Sequence, residues 1–274
     1  MRNPSKISNG VKKLEKKAKE IRRKVIKLLY RHKACHLGSN MSAIEILVAL
    51  YYKIMKKEDK FLLSPGWKAA ALYSILADKK IIDWKDLLKN YYEPGSKYWG
   101  LVHHTVPGIE HSFGSAGHGL PVAIGMALAV KLDKKNGKVY CLVSDGEMDC
   151  GTTWESALFA SHHKLDNLVV LVDYNKFQAF GKTNEVLNLE PLVKKWKDFN
   201  WYVQRINGHN FEELIKAFKN LSNEKPNIII CDTIKGSGGN TACNIFENKL
   251  EWHYKNLDEQ TFKYALQLLS KKKM

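Results

Sequence analysis

Two polar turns in the middle of the chain carry residue types that suit metal and phosphate chemistry. Asp145 and Gly146 directly follow the apolar run 138–144, and Asn175 comes shortly after the apolar run 168–172. Short apolar runs rich in β-branched residues are typical of buried parallel strands. Because open α/β sheets bind ligands at the carboxyl ends of such strands, we expect Asp145 and Asn175 to lie close together in space.

The chemistry that these side chains suit is the binding of a hard divalent cation. Carboxylate, amide and backbone carbonyl oxygens bind such a cation, which can also take oxygens from a diphosphate. Gly146 has no side chain, so the backbone there can approach a phosphate closely. Asp-Gly and Asn are also common turn residues, and the spacing alone leaves open the alternative of two ordinary strand-end turns.

The elements that position these turns predict an α/β fold, with an open, mostly parallel sheet and helices on both faces. The segment 151–163 is predicted to be a crossover helix with Trp154 and Leu158 on its buried side. Ser42 and Glu45 form a capping-box pattern, which predicts that a helix begins at Ser42. The remaining pattern predicts helices over 11–33, 121–132, 189–199, 211–220 and 258–269, and strands over 201–206 and 228–233.

Composition excludes several classes of protein. The chain has 274 residues and a formal net charge of +16. It contains no apolar run of about eighteen residues, as a membrane span requires, and its charged start lacks the apolar segment of a secretory signal. The five cysteines have no metal-type spacing, which favours a reducing cytoplasm. The excess of lysine is dispersed, and its densest patch lies on a predicted amphipathic helix, so we expect neither a nucleic-acid nor a membrane partner.

The central segment resembles the transketolase family. Residues 144–181 read SDGEMDCGTTWESALFASHHKLDNLVVLVDYNKFQAFG, which is similar to that family's thiamine-diphosphate motif together with its flanks. The resemblance implies Mg²⁺, for which Ca²⁺ or Mn²⁺ can substitute, held by Asp145, Asn175 and the backbone carbonyl of Phe177. It also implies that Gly146 and Glu147 belong to the site of thiamine diphosphate.

Histidines in three segments that resemble family motifs are candidate catalytic residues. His36 lies in ACHLGSN, similar to S-G-H-x-G, and is implied to contact the donor and transfer protons; His253 lies in EWH, similar to E-W-H-G. Leu101 follows a glycine in a loop where the family has a catalytic histidine after that glycine, so His103 or His104 is expected to take over. For each candidate, a turn or surface histidine without a function is the alternative.

Three further segments carry residues that the resemblance places near the cofactor. The glycine-rich turn HSFGSAGHGL resembles one that lies along the cofactor rings, which implies roles for Gly114 and Ala116. Lys235, in IKGSG, is implied to approach the diphosphate. Trp67, in SPGWKA, stands where the family has a histidine near the diphosphate. The neighbouring Lys68 offers a cation there, with a different geometry.

The resemblance covers roughly residues 10–270 and only the diphosphate-binding half of the family. It implies a single diphosphate-binding domain over residues 1–274, with the pyrimidine-binding domain on a separate carboxy-terminal subunit. The implied activity is transfer of a two-carbon ketol unit between sugars or sugar phosphates. The implied assembly is a heterotetramer or a homodimer of this chain. Trp67 and Leu101 predict altered donor or acceptor specificity. The alternatives are a thiamine-dependent subunit that acts as a 2-oxo acid decarboxylase or acyl transferase, or a non-catalytic binding subunit.

Overall fold

The computed structural model describes residues 4–271 and arranges them around one five-stranded sheet. The first three and last three residues of the predicted single domain lie outside this part of the chain. The strands are β1 (Lys60–Leu63), β2 (Val139–Ser144), β3 (Leu168–Tyr174), β4 (Tyr202–Asn207) and β5 (Asn227–Asp232). Neighbouring strands are parallel, in the order β1-β2-β3-β5-β4. The predicted parallel α/β sheet is confirmed.

Helices connect the strands and precede them. They are α1 (Pro4–Arg31), α2 (Leu37–Ser42), α3 (Ile44–Ala49), α4 (Ala69–Asp78), α5 (Trp84–Asn90), α6 (Gly119–Leu132), α7 (Gly151–His162), α8 (Thr183–Val186), α9 (Leu192–Asp198), α10 (Phe211–Lys219) and α11 (Glu259–Ser270). The other helical segments are a π-helical turn, Leu50–Ile54, and 3₁₀ turns at Gly66–Lys68, Asp145–Asp149 and Leu250–His253.

Both faces of the sheet are covered, as predicted. Every residue of β2 and β3 is buried, although successive side chains of a strand point to opposite faces. α6 packs on β1, β2 and β3, whereas α10 packs on β4 and against α1 and α3. Burial on both faces explains why these strands read as continuous apolar runs instead of alternating patterns.

The predicted helix start at Ser42 is wrong. The chain is already helical in α2 before Ser42, and α3 begins after Ala43 without a side-chain cap. The Ser42 hydroxyl instead donates to Asp173 Oδ2, 2.6 Å away. Glu45 forms a buried ion pair with Arg22, whose Nη1 lies 2.6 Å from Glu45 Oε1. Partners distant in sequence therefore outcompete the local capping box that the sequence pattern indicated.

The predicted buried face of α7 is partly wrong. Ala157 and Ala160 are buried, but Leu158 is 64% exposed and Phe159 is 43% exposed. Trp154 is half-buried, and its indole N–H donates to the carbonyl of Met148 at 2.8 Å. α7 therefore packs on the domain through small residues and presents two large apolar side chains outward.

Within residues 4–271, the helices are all too short or too polar to cross a lipid bilayer.

Candidate active site

A cavity of about 320 Å³ opens at the carboxyl ends of the strands, and we call it the central cavity. Segments that follow β1, β2, β3 and β5 contribute to its wall. The predicted proximity of Asp145 and Asn175 is confirmed, because both line it. The predicted site residues in its wall are His36, Trp67, Ala116, Asp145, Gly146, Asn175, Phe177, Lys235 and His253. Gly114, Glu147, His103 and His104 do not line it.

The three predicted metal ligands share one end of the central cavity. The Asn175 Oδ1 atom accepts a hydrogen bond from the backbone N–H of Phe177 at 3.1 Å. One carboxylate oxygen of Asp145 accepts from the N–H of Gly146 at 2.9 Å, and the other accepts from the N–H of Lys176 at 2.7 Å. Thr183 Oγ1 also donates to the second carboxylate oxygen at 3.2 Å, so these bonds fix the turns and leave further lone pairs on Asn175 Oδ1 and on the first oxygen of Asp145. The described chain contains no cluster of three His, Cys, Asp or Glu side chains arranged for a metal. The predicted metal ligands do not form such a cluster, because they comprise one carboxylate, one amide oxygen and one backbone carbonyl.

The electrostatics of this end favour a cation. Asp145 is fully buried, and burial together with the nearby charge of Asp173 raises its pKa to about 7. Two buried carboxylates close together repel each other, and a divalent cation would offset that repulsion. A Cβ atom at Gly146 would meet only Gln178, at an ordinary 3.5 Å, so packing within the chain does not require glycine there. The residues present thus fit a metal ion with a phosphate beside it.

Asp173 connects the segments of the chain that lie beneath the central cavity. Burial alone would raise its pKa, but the ion pair with Lys68 lowers the pKa below the ordinary value. The Lys68 ammonium is fully buried; it donates to this carboxylate and, at 3.0 Å, to the carbonyl of Ser39. Thr233 Oγ1 donates to the other oxygen of Asp173, and Ser42 bonds the same carboxylate. Asp173 therefore holds together the segments after β1 and β5 and helix α2.

The wall of the central cavity also carries cationic groups. Lys235 is buried, and burial together with the charge of Lys68 lowers its pKa to about 8. Two buried ammonium groups around one cavity suit a group with several negative charges, such as a diphosphate. The Ser39 hydroxyl lines the same wall and is buried without a hydrogen-bond partner in residues 4–271. A bound phosphate oxygen would satisfy that hydroxyl.

His36 and His253 come together in the wall of the central cavity. Their ring centroids lie 4.8 Å apart, and the backbone N–H of His36 donates to the backbone carbonyl of His253 at 3.1 Å. Burial and then the charge of Lys235 lower the pKa of His36 to about 4 and that of His253 to about 3. Both imidazoles are consequently neutral near pH 7, so each has one ring nitrogen that can accept a proton and one N–H that can donate a hydrogen bond.

These two histidines contribute stability that the ligand-free chain loses as the pH falls. The unfolded chain takes up protons on them near pH 6.5, whereas the folded chain does so only near 4 and 3. Their contribution to the free energy of unfolding therefore decreases below pH 6.5, while the raised pKa of Asp145 acts in the opposite direction. Urea unfolding between pH 7.5 and 4.5 compares the unchanged chain with His253→Gln. The variant should lose less stability over this range, and an equal change in both proteins would contradict the assignment.

Glu147 lies beneath the cavity wall. It accepts hydrogen bonds from the Ser64 hydroxyl, from the N–H of Gly117 at 3.1 Å and from the N–H of Ser144 at 2.8 Å. The Ser64 oxygen in turn accepts from the N–H of Gly119 at 3.0 Å. A Cβ at Gly119 would lie 2.2 Å from the Cβ of Ser64, so this contact requires glycine. Contacts inside the chain thus shape the glycine-rich turn that carries Ala116.

The two loop histidines lie outside the central cavity. The His103 ring stacks on the exposed indole of Trp99, with centroids 5.1 Å apart, and its Nδ1 contacts the Thr105 hydroxyl. His104 is exposed and contacts the Ser112 hydroxyl through Nδ1 at 2.9 Å. Their catalytic roles stay predictions, and neither ring lines the central cavity that holds His36.

Sequence reasoning missed two residues that build the cavity. Ser39 lines it, and Asn40 braces it by donating to the carbonyls of His36 and Trp67 at 2.8 and 3.1 Å. Both stand within the quoted segment around His36. Their positions beside a recognised residue were the available signal.

A parallel sheet with carboxylate and amide oxygens beside buried cations, at the carboxyl edge of its strands, is typical of a diphosphate-binding α/β domain. Residues 14–267 match the family described as transketolase, thiamine diphosphate binding domain. The chain belongs to the transketolase family, as the sequence predicted.

Relatives of similar length are transketolase subunits. The chain is 38% identical over 254 residues to an apulose-4-phosphate transketolase subunit of Actinobacillus succinogenes, covering 88% of this chain and 90% of that one. It is 37% identical over 271 residues to a 6-deoxy-6-sulfo-D-fructose transketolase subunit of a Clostridium species, covering 94% and 96%. The predicted resemblance to the amino-terminal subunit of a split transketolase is confirmed.

Solved transketolases share the fold but are longer. The crystal structure of transketolase from Campylobacter jejuni superposes with a TM-score of 0.86 at 27% identity. The match covers 94% of this chain and 43% of that one, so the chain spans less than half the length of that transketolase.

Proposed function

We propose that this chain binds thiamine diphosphate and a divalent cation and, with a partner subunit, transfers a two-carbon ketol unit between sugars. The observation that carries the proposal is the central cavity, which has Asp145, Asn175 and Phe177 in its wall together with Lys68 and Lys235. Asp145 and Asn175 side chains and the Phe177 carbonyl would hold Mg²⁺, for which Ca²⁺ or Mn²⁺ can substitute. Each of these residues lines the same wall as the cationic groups that suit the diphosphate.

When bound, thiamine diphosphate supplies the carbanion chemistry of ketol transfer. The residues of this chain would orient the sugar and move its protons. His36 Nδ1 lies 3.0 Å from Cys35 Sγ, and His253 Nδ1 lies 3.5 Å from Lys235 Nζ. The Nε2 atoms are therefore the ones that we assign to the sugar hydroxyls. Because both rings are neutral, each can take a proton from a hydroxyl or return one.

The partner in this proposal is a carboxy-terminal subunit that carries the pyrimidine-binding domain. Similar relatives of matching length are named as subunits, which supports a divided enzyme. The outer face of α7 supports an interface, because Glu155 is exposed there beside the apolar side chains of Leu158 and Phe159. We propose a heterotetramer, or a homodimer of this chain with the partner added, in the cytoplasm, where the free cysteines stay reduced.

We also propose that the donor or acceptor differs from that of an ordinary transketolase. Trp67 lines the central cavity, and its indole has a single N–H donor, whereas a histidine would have two polar ring nitrogens. Leu101 is 37% exposed and offers no hydrogen bond to a sugar from its side chain. Each residue thus offers fewer polar groups to a sugar than a histidine would, Trp67 in the central cavity and Leu101 outside it.

Isothermal titration of thiamine diphosphate with Mg²⁺ into the chain, purified with its partner subunit, tests the proposal. We expect saturable binding that Asp145→Ala abolishes, because the variant loses the one carboxylate of the metal site. Asp149→Ala is the matched control, since Asp149 lines the same cavity but is not assigned to the metal. Loss of binding in both variants, or in neither, would count against the assigned site.

A further inference from the structure

A second cavity adjoins the first one at His36. It has a volume of about 560 Å³, and we call it the aromatic cavity. His36 lines both spaces, so the aromatic cavity lies beside a residue that we assign to the sugar. The aromatic cavity is therefore placed to hold a part of the substrate that does not react.

Aromatic and apolar groups dominate its wall. Tyr91 is buried, Tyr92 and Trp99 are each 55% exposed, and Leu101 contributes its side chain. No lysine or arginine lines this cavity within residues 4–271, and its one acidic side chain, Glu93, is already paired with His32, 3.0 Å from Nδ1. A phosphate or sulfonate there would lose its hydration without gaining a cation, which is costly.

The wall is built by the fold and is not a loose loop. The N–H of Tyr92 donates to the carbonyl of Tyr98 at 2.7 Å and closes the loop between them. A Cβ at Gly100 would lie 2.1 Å from Cε2 of Tyr92, so only glycine lets the Tyr92 ring pack there. The His103 ring stacks on the indole of Trp99 at an interplanar angle of 14°. His103 therefore supports the aromatic wall in this structure.

We propose that the aromatic cavity is a substrate subsite for an uncharged part of the sugar, an inference that rests on the proposed ketol transfer. The C–H faces of a sugar ring or chain pack on aromatic faces, and a few hydroxyls find polar partners at the rim. The subsite selects a sugar whose non-reacting end carries hydroxyl, methyl or methylene groups, and it disfavours one that ends there in a phosphate or sulfonate.

Steady-state ketol transfer by the two-subunit enzyme tests the subsite, with donors and acceptors supplied in pairs that differ only in a terminal phosphate. We expect kcat/KM at least about tenfold higher for the uncharged member of the preferred pair. Trp99→Ala should raise its KM about tenfold while the affinity for thiamine diphosphate stays unchanged. Tyr264→Ala is the matched control, because Tyr264 is 51% exposed on α11 and lines neither cavity.

The possible outcomes distinguish a failure of the proposed subsite from a failure of the proposed ketol transfer. Ketol transfer that favours the phosphorylated member, or a KM that Trp99→Ala does not change, would overturn the subsite and leave the proposed function standing. Weaker association of the subunits in Trp99→Ala with an unchanged KM would show that the partner covers the cavity, which also overturns the subsite. No transfer with any sugar by an enzyme that binds the cofactor would overturn the proposed function, and the subsite with it.

Discussion

Replacing Lys68 by methionine is expected to lower the free energy of unfolding by about 3–5 kcal/mol, the usual cost of breaking a buried ion pair from one side. The ammonium of Lys68 and the carboxylate of Asp173 are both fully buried and in direct contact. Methionine keeps most of the side-chain volume but leaves Asp173 charged in the interior. Two further hydrogen bonds, from Ser42 and Thr233, remain on that carboxylate and offset only part of the loss.

The same variant should change ligand binding in two different ways. Without the ammonium, the floor of the central cavity holds the carboxylates of Asp145 and Asp173 uncompensated. We therefore expect affinity for inorganic diphosphate to fall by about tenfold or more, and affinity for Mg²⁺ alone to stay the same or rise. A variant that merely loosened the fold would weaken both ligands together.

Urea unfolding and calorimetric titration of the purified variant measure these effects. Lys97→Met is the matched control, because Lys97 forms an exposed pair with Asp86 at 3.7 Å, and such pairs contribute about 0–1 kcal/mol. The ion pair would lose its assigned importance if Lys68→Met and Lys97→Met unfolded at the same urea concentration.

Lys68 also shows how far the sequence can predict this site. The buried strands, their parallel order and the meeting of Asp145 with Asn175 follow from apolar runs that end in polar turns. A lysine beside Trp67 reads from the sequence as a surface cation or a ligand contact. Its actual partner, Asp173, lies 105 positions away in the chain. Such a pairing depends on the packing of the 3₁₀ turn at Gly66–Lys68 against β3, which no local pattern encodes.

The helix errors have the same physical origin. The spacing of Ser42 and Glu45 predicts a helix cap, yet each side chain has a buried charged partner elsewhere. The apolar pattern places Leu158 inside because apolar residues usually are buried. Its exposure becomes understandable only if α7 meets another subunit, and a single chain's hydrophobic pattern does not separate a core from an interface. The recognised motifs, in contrast, contain His36, Lys235 and His253, which line the central cavity, and the roles of these three residues stay predictions.

Replacing Glu147 by alanine is the second change with a large expected effect, about 3–4 kcal/mol in the free energy of unfolding. The carboxylate is buried, and burial raises its pKa in spite of the hydrogen bonds that it accepts. Alanine would leave the N–H groups of Gly117 and Ser144 without their acceptor, and each buried unsatisfied donor costs about 1–3 kcal/mol. The side chain of Ser64 would lose its acceptor as well.

The effect on function should exceed what a buried structural residue ordinarily has. Gly117 adjoins Ala116 in the cavity wall, and Ser144 directly precedes Asp145, so one carboxylate fixes two segments of the central cavity's wall. We expect affinity for thiamine diphosphate to fall by about tenfold at temperatures where the variant is still fully folded, as a lost supporting contact usually does.

Comparison of two substitutions separates the supporting role from general instability. Glu147→Gln keeps one acceptor oxygen in the same place and should retain part of the stability and of the cofactor affinity, whereas Glu147→Ala keeps neither. Glu155→Ala, on the exposed face of α7, should leave both quantities unchanged in the isolated chain. Equal cofactor affinity in all three variants would mean that the glycine-rich turn holds its shape without Glu147. In that case Ser64, which still accepts from Gly119, would be the group that positions the turn.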